Sequence, residues 1–199
     1  MCNTRSLQNN LRAQEIDFET LMGVKFSIGA HLPKILSGEE ISPLIEKVLQ
    51  ADSGEQRQPA GYDVSVNKIY SFPKNKFNLT IAKGENTTLS EVQLIDGHFD
   101  LNETGAYFVD LNEITSIPKD AIGILLPRST LLRNGLDIRT ALFDPGYSGQ
   151  PKVMLVCHRP ARVQRFARIG QLIIIKSDRE FANQYSGQYQ GERGTRSKN

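Results

Sequence analysis

The sequence predicts an all-β fold, a distorted β-barrel or jelly roll with a short helical N-terminal segment. Three observations predict it. Short apolar segments rich in Val, Ile, Phe and Tyr recur from Gly61 onward. Between them stand Gly, Asn, Asp and Pro, residues that punctuate strands. The longest apolar runs, such as Leu172 to Ile175, have the length of strand cores and fall far short of a membrane span.

The chain has 199 residues, enough for one domain with a real core plus an arm and a tail. Charged residues make up 23% and the formal net charge is +2, so no global field argues for a polymeric nucleic acid or an anionic membrane. Any anion site must be local. Cys2 and Cys157 form neither a disulfide framework nor a metal-ligand spacing, which fits a reducing compartment. The start, MCNTRSLQNN, lacks an apolar signal core, and the chain reads as soluble and cytoplasmic. His31, His98 and His158 are widely separated and have no carboxylate or cysteine neighbours at ligand spacing. No Ser-His-Asp or Cys-His arrangement stands out.

In chain order, residues 1–60 read as an N-terminal extension. Ser42-Pro43 is a helix-start pair, a capping hydroxyl followed by a proline whose missing N–H costs nothing there. Leu44, Ile45, Val48 and Leu49 then recur at helical spacing, and Gly54 lies past the expected end. Gln50 to Ala60 is polar and reads as a connector. Residues 61–178 hold the strand-like segments YDVSVNKIYSF, FNLTIAKG, VQLIDG, AYFVDLNEI, GILLP, VMLVCH and LIIIK. Residues 179–199 are polar and glycine-rich, with too little apolar surface to fold alone, and read as a mobile tail that closes over a site.

Several constellations could carry chemistry. In Gly61-Tyr62-Asp63 a carboxylate follows a flexible glycine at a strand start. It could cap a turn, hold a hydrated magnesium ion or position an arginine. In Pro127-Arg128-Ser129-Thr130 an apolar strand ends where a helical turn begins, offering hydroxyls and free N–H groups to phosphate oxygens. Arg128 suits either phosphate or a structural ion pair. Asp144-Pro145-Gly146-Tyr147-Ser148-Gly149 is a turn whose proline and glycines need no function, although its aspartate and tyrosine are not required for turning. Gln171, amid Ile169, Leu172 and Ile173, would bring a donor and an acceptor to a strand face or satisfy an edge.

Taken in order, GYD, PRSTLLRNGL, FDPGYSG, ARIGQL and the terminal RGTRS resemble the successive motifs of the dUTPase and dCTP deaminase superfamily. The run from Ile117-Pro118-Lys119-Asp120-Ala121 into PRSTLLRNGL is most similar to the archaeal-type dUTPases. The resemblance covers Gly61 to the C-terminus. It implies a homotrimer with sites at subunit interfaces, hydrolysing dUTP to dUMP and pyrophosphate with Mg2+.

Carried onto this sequence, the resemblance makes Asp144 the general base that activates water for attack on the α-phosphorus. Tyr147 packs under the deoxyribose. Ser129, with Thr130 beside it, and Gln171 contact phosphates, and Arg128 supports them. Asp63 reaches magnesium through water or braces that arginine. The backbone from Asp137 to Phe143 reads the uracil, and Arg193, Gly194 and Ser197 close over the γ-phosphate. The family's uracil-covering Gly-Gly-Phe segment is absent, and Tyr185 or Tyr189 would supply that ring. Ser148 stands where an arginine often follows the tyrosine, and the Leu136 to Asp144 interval is about two residues shorter than in common dUTPases. Deaminase relatives place a glutamate in the strand after the turn. Here that position falls near Met154, so a dCTP deaminase or bifunctional activity is the alternative this chain disfavours. A non-catalytic nucleotide-binding regulator is the rival of another class.

Overall fold

The computed structural model describes residues 33–77 and 87–195. The segment FNLTIAKG, read as a strand from sequence, lies almost wholly outside them. Strand β1 (Lys34–Ile35) is followed by helix α1 (Gly38–Ile41), a 3-10 turn (Ser42–Leu44), β2 (Ile45–Lys47) and β3 (Arg57–Gln58). The organising strand is β4 (Gly61–Ser71). After it come β5 (Ser90–Glu91), β6 (Leu94–Ile95), β7 (His98–Leu101), β8 (Gly105–Leu111), β9 (Glu113–Ser116) and β10 (Ala121–Pro127). Helix α2 (Ser129–Arg133) separates β10 from β11 (Leu136–Arg139), β12 (Ser148–Gly149), β13 (Lys152–Cys157), β14 (Ala161–Gln164) and β15 (Arg168–Lys176).

Strand β4 belongs to two ladders. Its first half pairs antiparallel with β15, and its second half pairs with β8. Register shifts between Val66 and Lys68, and between Arg168 and Gly170, bend the sheet there. Such bulges let a strand turn from one sheet into the next. Covered on both faces, β4 is buried from Gly61 through Asn67 instead of alternating. β15 pairs on its other side with β10, and β8 pairs with β13, which pairs with β11. Two small sheets complete the jelly roll, β12-β9-β2 and β14-β7-β6. Val64, Val66, Ile69, Leu111, Leu155 and Ile174, all within 1% of full burial, form the centre of the core.

The helical segment lies earlier than periodicity predicts. Ser37 caps α1 in a capping box with Glu40, and Ile41 is its wholly buried anchor. The predicted helix through Leu44, Ile45, Val48 and Leu49 is instead a 3-10 turn running into β2. Ile45–Lys47 gain a ladder with β9, Val48 N–H donates to Asn112 O, and the Asn112 amide takes both backbone groups of Leu49. Long-range hydrogen bonds thus override a local helical pattern. The connector also differs: β3 pairs with β4, and Gln56 is buried. Among the described residues no helix is long and apolar enough to cross a membrane.

Candidate active site

At one end of β10 the GYD, PRST and ARIGQL segments converge. Arg128 occupies the N-cap of α2 in an extended conformation, its N–H bonded to Ile169 O at 3.1 Å, while Ser129 and Thr130 are exposed. Arg128 Nε lies 3.1 Å and Arg168 Nη1 3.2 Å from Asp63 Oδ2. Asp63 is buried, whereas the arginine side chains remain 29% and 25% exposed, so each guanidinium keeps donors for a second anion. Burial raises the Asp63 carboxyl above its ordinary range, and the two guanidiniums act against that. Gln58 Nε2 adds a longer contact to the same oxygen, at 3.4 Å. Asp63 thus pairs with both guanidiniums. Among the described residues no group of three His, Cys, Asp or Glu could hold a metal directly.

Gln171 faces Asp63 across β15 and β4, and Leu126 across β10 and β15. It is half-buried beside Gly61, where a Cβ would come within 2.8 Å of its Nε2 and 2.7 Å of Leu172 O. Glycine at position 61 is what allows strand start and amide to meet.

The turn 144–149 is pinned by backbone. Phe143 and Gly123 exchange hydrogen bonds at 2.9 and 3.0 Å, Ile117 N–H donates to Tyr147 O at 2.7 Å, and Gly146 sits at φ 78°. Asp144 is exposed. Tyr147 is buried between Phe143, stacked at 5.8 Å, and Tyr185, edge-on at 5.6 Å. Burial pushes its hydroxyl upward, so the ring stays a neutral phenol.

Asp144 follows Phe143, which sits opposite Gly123, whereas Ser129 lies beyond Pro127. At about 3.3 Å per strand residue, the four steps from 123 to 127 put roughly 13 Å or more between the two ends. One chain therefore does not unite Asp144 with Arg128, Ser129 and Gln171. Asp137 precedes Ile138, which packs beside Gly170, the partner of Pro127. The Asp137 carboxylate accepts from Ile138 N–H at 2.8 Å and pairs with Arg139 at 2.9 Å. Met154 lies half-buried in β13, opposite Arg139 and Phe108.

The tail runs along the turn and beyond it. Tyr185 N–H donates to Pro145 O, Gly191 N–H to Ser148 O and Gln150 N–H to Glu192 O. Gly194 N–H then donates to Gln150 Oε1 at 2.6 Å, Thr195 N–H to Asp110 Oδ2 at 2.9 Å, and Arg193 pairs with Glu46 at 3.3 Å. Tyr185, not Tyr189, packs on Tyr147, and Tyr189 is 49% exposed. Ser197 lies outside the described residues. Arg168 was not singled out by residue-type reasoning, though it sits inside ARIGQL. Glu113 and Gln56 were also missed, and the only signal for Glu113 was an acid embedded in the apolar run AYFVDLNEI.

Fold and site define an antiparallel jelly roll that carries a basic, carboxylate-braced cluster at a strand-to-helix junction. A model of the dCTP deaminase-like family matches residues 35–177, and the chain belongs to that family. It is 35% identical over 163 residues to a probable deoxyuridine 5'-triphosphate nucleotidohydrolase of Aeropyrum pernix, covering 79% of this chain and 98% of the relative. A protein of Methanococcoides burtonii with the same name is 35% identical over 158 residues, 75% of this chain and 89% of the relative. Among solved structures, the 2'-deoxycytidine 5'-triphosphate deaminase of Agrobacterium tumefaciens superposes with a TM-score of 0.59 at 23% identity. That match covers 73% of this chain and spans 48% of the other, and it shows the shared fold.

Proposed function

We propose that this chain is a magnesium-dependent dUTP diphosphatase, cutting dUTP to dUMP and pyrophosphate and so limiting uracil incorporation into DNA. The observation that carries the reading is the near full-length match to relatives named dUTP nucleotidohydrolases. The arrangement of charges supports it. Arg128, Ser129, Thr130 and Gln171 donate to phosphate oxygens, with Asp63 bracing Arg128. Asp144 accepts a proton from water as the water oxygen bonds to the α-phosphorus. The bond from that phosphorus to the bridging oxygen breaks, and pyrophosphate leaves with the electron pair. Magnesium on the triphosphate supplies charge neutralisation. Tyr147 packs under the deoxyribose, and the backbone from Asp137 to Phe143 reads the uracil edge.

Because β10 separates Asp144 from Ser129 within one chain, a complete site takes them from different copies, and the assembly we propose is a homotrimer. Tail residues Tyr189, Arg193, Gly194 and Ser197 close over the base and γ-phosphate, with Arg193 exchanging Glu46 for phosphate. The setting is cytoplasmic. Deamination of dCTP is not expected, since Met154 brings a thioether and no carboxylate to its strand position. The test is incubation with each deoxynucleoside triphosphate and magnesium, measuring pyrophosphate and ammonia together. Turnover of dUTP alone is the expected result. Ammonia from dCTP would move the chain to the deaminase branch, and binding without turnover would make it a regulator.

A further inference from the structure

Glu113 in β9 has a side chain with no access to solvent, and among the described residues no cation is a hydrogen-bond partner of it. Its Oε1 accepts from Gln56 Nε2 at 2.7 Å and from Ser65 Oγ at 2.8 Å, and its Oε2 accepts from Ser65 N–H at 2.8 Å. A buried carboxylate met by neutral donors is an expensive way to stabilise a strand, and an apolar side chain would do so with less desolvation. The arrangement is specific in another respect. The same Gln56 Nε2 also donates to Asp63 O at 2.8 Å, and Gln56 O accepts from Asp63 N–H at 2.7 Å. Gln56 is thereby fixed at both backbone groups of the residue whose carboxylate holds Arg128 and Arg168. The preceding carbonyl, Glu55 O, accepts from Arg168 Nη1.

We propose that Glu113 is a positioning residue for the basic cluster. Acting through Gln56, it fixes the Asp63 backbone and so the direction in which Asp63 presents Arg128 and Arg168 to a phosphate chain. The proposal rests on the reading of that cluster as the phosphate end of the site. A glutamine at position 113 would set an amide against the Gln56 amide. Whichever way that amide is turned, one donor is opposed: its Nε2 toward Gln56 displaces Gln56 Nε2 and with it the bond to Asp63 O, while its Nε2 toward Ser65 opposes Ser65 N–H. The carboxylate is required because it accepts on both oxygens.

The test compares Glu113→Gln, Gln56→Leu and the double variant with the unaltered chain. Affinity for the non-hydrolysable α,β-imido analogue of dUTP is measured by calorimetry, beside KM, kcat and the melting temperature. Each single variant should weaken analogue affinity and raise KM by about tenfold while changing kcat less. The double variant should be no worse than either single, as for two members of one relay. Gln56 lies on a segment with exposed neighbours, so its variant keeps the test open even where Glu113→Gln fails to fold. Unchanged analogue affinity in folded Gln56→Leu, or additive losses in the double variant, would overturn the relay. An unaltered chain that binds the analogue but releases no pyrophosphate from dUTP would overturn the catalytic reading and leave the relay measurable by affinity. Failure to bind the analogue at all would overturn both.

Discussion

The two ends of β10 are built on different physics. At the Pro127 end, side chains do the holding: the buried Asp63 carboxylate grips two partly buried guanidiniums, and the Asp63 backbone is gripped by Gln56. At the Gly123 end, backbone hydrogen bonds and stacked rings do the holding, and Asp144 stands bare in water beside buried Tyr147. On the proposed reading, a phosphate end needs positive charge held in a fixed direction, which the buried Asp63 carboxylate supplies. A base that takes a proton from water needs an open carboxylate on a rigid support. Two aspartates of the same chemical type thus stand in opposite environments, one buried and paired, the other exposed.

Changing each aspartate to asparagine breaks that contrast most directly. Asp144→Asn should lower dUTP turnover by about 10³-fold or more, keep nucleotide affinity within about tenfold and leave the melting temperature nearly unchanged, since the residue is exposed. Comparable turnover would show that another group is the base. Asp63→Asn should do what Asp144→Asn does not, costing about 2 kcal/mol of stability by leaving two partly buried guanidiniums unpaired, with a raised KM. Chemical denaturation reads the first quantity and steady-state kinetics the second. If the ends meet only between copies, mixing inactive Asp144→Asn chains with inactive Arg128→Ala chains and allowing exchange should restore a fraction of activity. A mixture as inactive as its parts would place one complete site within each chain.

Two smaller effects sharpen the Gly123 end and the core behind it. Tyr185→Ala removes the edge-on ring from Tyr147 and should cost about 1 kcal/mol, with faster proteolysis of the tail beyond Asp178. Equal proteolysis would show that the backbone bonds to Pro145 and Ser148 alone hold the tail. Cys157 is buried, and burial pushes its thiol from the ordinary 9.0 up to about 11. A raised folded-state value means the proton is held more tightly on folding. Its contribution to stability is therefore complete below pH 9 and lost as pH rises through about 11. Cys157→Ser should flatten the decline in stability over that interval. In a Cys2→Ser background, thiol labelling below pH 9 should require unfolding.

Much of the strand content was legible because β-branched and aromatic runs separated by turn residues are local signals. GYD, PRST and ARIGQL were legible as a set because their order is a property of the chain, and β4, β10 and β15 bring them together. The helix expected over Leu44 to Leu49 was not, because Ile45–Lys47 accept a ladder from β9, more than sixty residues away in sequence. Arg168 was hidden within a motif quoted for its glutamine. Gln56 and Glu113 were hidden because burial of a polar side chain leaves no periodic trace, only an acid in an apolar run.

The sequence by itself determined the all-β class and the order of the motifs that the dUTPase and dCTP deaminase superfamily shares. The first follows from composition and short-range spacing, the second from the chain's own order of residues. Only the tertiary structure decided that Asp63 is a brace and Asp144 a free carboxylate, that Tyr185 covers Tyr147, and that β10 stands between the two ends. Burial and separation depend on which distant strands pair, and no short stretch of sequence contains that information.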